Sequence, residues 1–275
     1  MRQFTLTLTS TSRFSVEIMT TAAQIRGKFA VVTGASTGIG AAVAERLAAS
    51  GTHLVLVARD GDKLDETATR LSRRHGVTVR ALPLDLATAD APARLARTLA
   101  DQGIEVEMLV NNAGASARGP VVGGDPARFR SLIDLNVTAV TELTALLMPA
   151  MVARGHGAVV NIASTGAYVP APYLAVYAAT KAYVLSFTRA LWAEARGTGV
   201  RVVAVSPGPT KTPMNNRGTR SAETVATTVF RALSGKGPAV IDGKANALTT
   251  FLFARLLPTR LTLAIARRML ARSGV

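Results

Sequence analysis

The stretch FAVVTGASTGIG, residues 29–40, decides how the chain is read. FAVVT (29–33) is short, apolar and rich in β-branched residues, the pattern of a strand covered on both faces. TGASTGIG (33–40) follows it as a turn, and AAVAERLAAS (41–50) then reads as a helix closed by Gly51. Glycines let such a turn fold tightly and let a pyrophosphate approach the backbone, and the helix N-terminus adds partial positive charge. The spacing is G-x3-G-x-G rather than G-x-G-x-x-G, so the turn needs its strand–helix context to carry weight.

Outward from this unit the alternation repeats. HLVLVA (53–58) is a second buried strand, and DGDKLDETATRLSRRHG (60–76) is a helix with acids early and bases late. VTVRALPLDL (77–86), EVEMLV (105–110), AVVNIA (158–163), VRVVAV (200–205) and PAVI (238–241) supply the other strands. Helices are expected over 90–102, 126–151, 173–196 and the later part of 207–234. Strands alternating with helices predict an α/β, doubly wound Rossmann fold: a mostly parallel seven-stranded sheet with helices on both faces. The division expected is a flexible extension over 1–27, one catalytic domain over 28–242, and a basic amphipathic helical tail over 243–275.

Composition narrows the function classes. Of the 275 residues 48% are hydrophobic, enough for a full core, and there is no cysteine. Disulfides, thiolate metal sites and cysteine nucleophiles are therefore excluded, and a reducing, cytoplasmic setting is expected. The net charge is +15, but the bases are dispersed and aromatic residues make up only 5%. A base-stacking platform is thus unsupported and no nucleic-acid partner is expected. No metal site is expected either. No run reaches the ~20 uninterrupted apolar residues of a membrane span. Residues 1–27 carry Ser, Thr and Arg but no long apolar segment, so they read as an extension with Met19 as an alternative start; an organelle transit peptide is the other reading.

In doubly wound sheets ligands sit beyond the carboxyl ends of the strands, and the unusual residues lie there. NNAG (111–114) follows the fourth strand. Ser164 follows the fifth, and its hydroxyl can donate to a substrate oxygen. Tyr177 and Lys181 are four apart on a helix and so share a face. An ammonium beside a phenol favours phenolate, which would lower the tyrosine pKa from about 10 toward neutrality, as carbonyl/alcohol acid–base work requires. Asn136 falls in mid-helix, where asparagine is a poor choice, so something other than propensity must explain it.

TGxxxGxG, NNAG, the helical Asn, and Ser164 thirteen residues before a YxxxK pair occur in this order, and over about 28–242 the chain resembles the short-chain dehydrogenase/reductase family. The resemblance implies an NAD(P)-dependent oxidoreductase acting on carbonyl or alcohol groups. Tyr177 would donate the proton, Ser164 orient the carbonyl, Lys181 hold the nicotinamide ribose and depress the Tyr177 pKa, and Asn136 hold a relay water. Gly34, Ser36, Thr37, Gly38, Ile39 and Gly40 would line the cofactor phosphates. Asp85 and Leu86 would flank the adenine, and Asn112, Ala113 and Gly114 the adenosine ribose. Pro207, Gly208, Thr210 and Thr212 would cover the nicotinamide and pyrophosphate.

NADP(H) is expected over NAD(H). Ala58 stands where a ribose-binding acid would, and Arg59 after it can pair with a 2′-phosphate. Asp60 is the competing feature, since it could serve a ribose hydroxyl. Thr37 is neutral, where many NADP-using relatives carry a second base. The loop PMNNRGTRSAE (213–223) should shape the substrate pocket, with Arg217 and Arg220 at its rim and Gly166, Tyr168 and Tyr173 contributing. The small-molecule substrate expected is a hydrophobic ketone, aldehyde or 3-oxoacyl group. A catalytically idle cofactor-binding regulator is the alternative, which the intact Ser164, Tyr177 and Lys181 disfavour. The resemblance also implies a homodimer or homotetramer through helices 126–151 and 173–196. The tail, 246–275, alternates apolar stretches with arginine and has no acid; it either packs on the domain or a neighbouring subunit, or makes a peripheral contact with an anionic membrane.

Overall fold

The computed structural model describes residues 25–272. Seven strands form one sheet in the order β3-β2-β1-β4-β5-β6-β7. They are β1 (Phe29–Thr33), β2 (His53–Ala58), β3 (Val79–Pro83), β4 (Val106–Asn111), β5 (Gly157–Ile162), β6 (Val200–Ser206) and β7 (Ala239–Ile241). Every pairing is parallel, so the mostly parallel sheet expected is wholly parallel. The central strands are buried on both faces, with Val31, Val55, Leu109, Val159 and Val203 inaccessible. That is why they read as unbroken apolar runs.

Helices α1 (Gly38–Ala49), α2 (Gly61–His75) and α7 (Ala222–Ser234) contribute to one core layer with the sheet, and α3 (Ala91–Asp101) and α5 (Ala139–Arg154) to the other. Local chemistry sets their ends. Asp60 caps α2 by accepting from the Lys63 amide, and Gly76 closes the helix at φ 66°. Asp125 caps α4 (Pro126–Ile133), with Pro126 opening it. Gly155, at φ 76°, ends α5.

From Pro126 to Arg154 the chain is one helix, long and apolar enough by length and composition to cross a membrane. Its inner side covers the sheet through Ala139, Val140, Leu143, Met148 and Met151, which makes it a structural layer of this fold. Between α4 and α5 it passes through a π-turn, Asp134–Thr138, that contains Asn136. There its side chain bonds the Ala115 main chain and Thr180 Oγ1, which accounts for an asparagine that propensity alone left unexplained.

Two boundaries shift from the expectation. The domain starts before residue 28: Ile25 is buried among Ala30, Leu47 and Leu54, and the Gly27 amide donates to the Gly51 carbonyl at 2.9 Å. The remainder of the extension, 1–24, lies outside the described residues. Asn111, read as loop, is the last residue of β4. Its Nδ2 donates to Asn161 Oδ1 on β5 (2.9 Å) and to Thr144 Oγ1 (3.2 Å), and Asn161 Nδ2 donates to Thr188 Oγ1 (2.9 Å). This buried polar strip ties the sheet centre to both long helices.

Candidate active site

The carboxyl ends of β1, β4, β5 and β6 bring the expected residues to one edge of the sheet. Gly34 and Gly38 adopt positive φ, 64° and 59°. A Cβ on Gly40 would lie 2.2 Å from the Gly34 carbonyl oxygen, so only glycine allows α1 to start this close to the turn. Thr37, the N-cap of α1, makes no side-chain cap, and the first turn has no acid. The leading amides of α1 are thus left for an anion.

The turn is clamped to the end of β4. Asn112 Nδ2 donates to the carbonyls of Thr33 (2.8 Å) and Gly34 (3.1 Å). Thr33 Oγ1 accepts from the amides of Asn112 and Ala113 at 3.0 and 2.9 Å. Thr212 closes the other side, its Cγ2 3.1 Å from where a Gly38 Cβ would stand. Thr210 is buried, its hydroxyl on the Gly208 carbonyl at 3.0 Å. The shape and the free amides fit the diphosphate of a dinucleotide.

At the outer end, Arg59 stands 71% exposed with Nη1 4.0 Å from the Asp85 carboxylate. Asp85 Oδ1 also accepts from the Ala87 amide at 3.0 Å. Leu86 is a correction in part: its side chain is buried with Val57 and Ala91, so only its main chain can face a ligand. Ile39 likewise packs against the core. Asp60 is committed to α2, where it accepts from the Lys63 amide (3.2 Å) and ammonium (2.6 Å).

The candidate catalytic corner is built by the 3₁₀ turn Thr165–Ala167, helix α6 (Ala175–Glu194) and the π-turn. Ser164 Oγ accepts from the Gly166 amide at 3.1 Å and shares a hydrogen bond with the Tyr177 hydroxyl. A Cβ on Gly166 would sit 3.5 Å from Ser164 Oγ and 4.0 Å from the Tyr177 ring, so glycine keeps the space beside the hydroxyls clear. Lys181 is buried, its ammonium donating to the Ile162 carbonyl at 2.8 Å. Gly114 joins this corner: its missing Cβ would lie 3.2 Å from Asn136 Oδ1 and 3.4 Å from Lys181 Nζ.

Asn136 is wholly buried. Its amide accepts from the Ala115 N–H and donates to the Ala115 carbonyl and to Thr180 Oγ1, each at 3.0 Å. The side chain is thus spent on protein partners.

The electrostatics correct one expectation. Burial pushes the Tyr177 phenol above its usual range, opposed by its bond to Ser164. Burial also pushes Lys181 down to about 8. Desolvation dominates at the phenol, and the Lys181 ammonium is turned to the Ile162 carbonyl. In the protein alone it is the lysine, rather than the tyrosine, that is brought near neutrality.

Two supposed pocket residues have other duties. The Tyr168 hydroxyl lies 3.4 Å from Ser206 Oγ, and the Arg189 guanidinium lies 5.5 Å from the centre of its ring, so it braces the end of β6. Arg220 pairs through Nε and Nη2, one edge of its guanidinium, with the carboxylate of Asp242, which is wholly buried and also accepts from Thr228 Oγ1 at 2.6 Å. Sequence reasoning missed Asp242. Its signal was an acid directly after the last strand, where the fold places functional residues.

The family model described as short chain dehydrogenase matches residues 28–223. The chain belongs to the short-chain dehydrogenase family. It is 37% identical over 185 residues to the human very-long-chain 3-oxoacyl-CoA reductase, a match covering 66% of this chain and 59% of that protein. This chain therefore matches less than two thirds of that relative's length. An uncharacterized oxidoreductase of Staphylococcus saprophyticus is 33% identical over 192 residues, 70% of this chain and 82% of that protein. Among solved structures, a short-chain dehydrogenase from Sphingobium yanoikuyae in complex with NADPH superposes with TM-score 0.73 at 32% identity, covering 90% of this chain and 96% of that one. A 7β-hydroxysteroid dehydrogenase gives TM-score 0.83 at 23% identity, covering 89% and 98%, and shows the shared fold.

Proposed function

We propose that the protein is an NADP(H)-dependent oxidoreductase that interconverts a hydrophobic carbonyl compound and its alcohol, with 3-oxoacyl thioesters as the substrate class to test first. The observation that carries this reading is the Ser164–Tyr177 hydroxyl pair beside a buried Lys181. The substrate class is suggested by the resemblance to the human 3-oxoacyl-CoA reductase.

The dinucleotide would be held by the turn from Gly34 to Gly40, by Ser36, Thr37 and Ile39, and by Asn112, Ala113, Gly114, Pro207, Gly208, Thr210 and Thr212. Its nicotinamide supplies the hydride. Tyr177 donates a proton to the carbonyl oxygen in the reduction and accepts it in the oxidation. Ser164 hydrogen-bonds that same oxygen and fixes its direction. Lys181 binds the ribose hydroxyls and, once drawn toward the phenol, stabilises phenolate. Asn136 acts as a positioning residue, since its side-chain amide is occupied; a relay water would have to use the π-turn backbone instead.

Preference for NADP(H) rests on Arg59 and Asp60 together. The guanidinium is exposed and beside Asp85, while Asp60, the group that would favour a ribose hydroxyl, is held by Lys63. A homodimer or homotetramer would use the exposed Ile133, Leu146, Val152 and Tyr183 of the two long helices.

The test is NADPH consumption with a panel of 3-oxoacyl thioesters and bulky ketones. Turnover should fall by about 10²–10⁴-fold in Tyr177→Phe while NADPH affinity stays within a factor of a few. Tight NADPH binding without turnover of any carbonyl would favour the idle regulator instead.

A further inference from the structure

The C-terminal segment carries large apolar side chains on its outward face as well as on its inner one. It consists of α8 (Lys244–Phe251), a π-turn (Leu252–Leu256) and α9 (Thr259–Arg272). Among its described residues Thr250 and Thr262 are buried, and Phe253, Leu257, Leu263, Ile265 and Leu270 are half-buried. Leu248, Phe251, Leu252, Leu256 and Leu261 face outward, from 39% to 61% exposed. Residues 248, 251, 252 and 256 recur at helical spacing, so they form one apolar stripe. A soluble helix places such a stripe against the core, and contiguous exposed apolar surface marks an interaction site.

Exposed Lys244, Arg255, Arg260, Arg267 and Arg268 accompany this stripe, and no Asp or Glu follows Asp242. We propose that the segment docks the enzyme on an anionic membrane surface. The leucines and Phe251 enter the headgroup–acyl boundary while the cations meet lipid phosphates, their aliphatic stems extending the apolar contact. Charge complementarity selects this occupant over a second copy of the chain, because a symmetric pairing would bring two acid-free basic faces together. It also selects it over a nucleic acid, which would leave the apolar stripe in water.

The platform adjoins the cleft. Asn246 of α8 abuts Gly208 so closely that a Cβ there would lie 2.4 Å from its side-chain nitrogen. The same nitrogen donates to the Asp242 carbonyl at 2.7 Å. Met214, in the loop over 213–223, is also exposed, at 59%. A docked enzyme would receive an acyl substrate from the lipid phase. That last link rests on the carbonyl-reductase reading; the docking surface does not.

Flotation of the full chain with phosphatidylcholine vesicles, with and without phosphatidylglycerol, tests the surface without any turnover. Binding is expected on the anionic vesicles at low salt and should weaken as salt rises. Arg255→Gln with Arg260→Gln should weaken it roughly fivefold per charge removed. Phe251→Ser with Leu256→Ser should abolish it even at low salt. All four side chains are exposed, and thermal melting checks that the variants remain folded. NADPH-dependent turnover of a water-soluble ketone should be unchanged in them, so loss of flotation and failure of the enzymatic reading are separable. Absence of flotation at low salt, or flotation indifferent to Phe251→Ser and Leu256→Ser, overturns the proposal. So does self-association of the wild type that the same pair abolishes, which would make this face an interface between copies, or tighter binding to a duplex oligonucleotide than to the vesicles.

Discussion

Asn136 Nδ2 donates to Thr180 Oγ1 across 3.0 Å, and Thr180 immediately precedes Lys181. The π-turn of one long helix is thereby pinned beside the buried lysine of another. The same amide exchanges two hydrogen bonds with the main chain of Ala115. Replacing Asn136 by Leu would strand these groups in a dry interior. A loss of about 1–3 kcal/mol in urea unfolding is expected, together with a displaced alkaline limb in the pH–rate profile. A purely structural residue would lower stability and leave that limb in place.

Lys181 predicts two opposite pH trends. Its folded pKa, about 8, lies below the ordinary 10.5. Between these values the unfolded chain binds the extra proton, so the contribution of this group to stability rises with pH across the window and is flat below it. Urea midpoints of the cofactor-free protein should show this increment, and Lys181→Met should erase it. Carbonyl reduction needs the ammonium, so kcat/KM should fall as pH rises through about 8. Lys181→Arg, always charged, should lose that limb even where its rate is low.

Arg59 should set the choice of cofactor. A charge-assisted pair with a 2′-phosphate contributes about 1.5–3 kcal/mol, so Arg59→Ala should weaken NADPH binding by roughly ten- to hundredfold. NADH affinity should change little. Fluorescence titration with each cofactor reads both values, and equal losses for the two would remove Arg59 from this role.

Asp242 anchors the loop after β6 through Arg220. Its partner Arg220 also accepts, through its main-chain carbonyl, from the Lys211 amide at 2.8 Å. Asp242→Ala leaves Arg220 and Thr228 without their acceptor; Arg220 remains partly exposed to water, so a loss of about 1–3 kcal/mol is expected. Calorimetry should show that loss. Cofactor affinity should fall with it, because Thr210–Thr212 loses its anchor. Asp242→Asn keeps an acceptor for Thr228 and should cost less.

What the chain announced and what it concealed divide along physical lines. The β-branched runs at 29–33, 53–58 and 158–163 and the glycines at 34, 38 and 40 act through local backbone preference, so they were readable from the letters. Ser164, Tyr177 and Lys181 were readable because spacing on a helix and position after a strand fix where they meet. The Arg220–Asp242 pair was not, because it joins residues 22 apart through a loop whose path no local pattern sets. The direction of the Tyr177 shift was misjudged because desolvation depends on the depth of packing around α6. The use of Asp60 as a cap was hidden for a simpler reason: one carboxylate can serve a helix or a ribose, and only the exact end of β2 decides.

The two outermost strands have a consequence for handling the protein. β3 has only five residues, among them Arg80 and Pro83, and β7 has only three. A charged side chain, a ring without an N–H donor and sheer brevity all frustrate pairing with a neighbour's strand. Whatever association the exposed leucines drive, growth of the sheet into fibrils is blocked at both margins. Concentrated preparations should therefore form detergent-reversible clusters rather than amyloid.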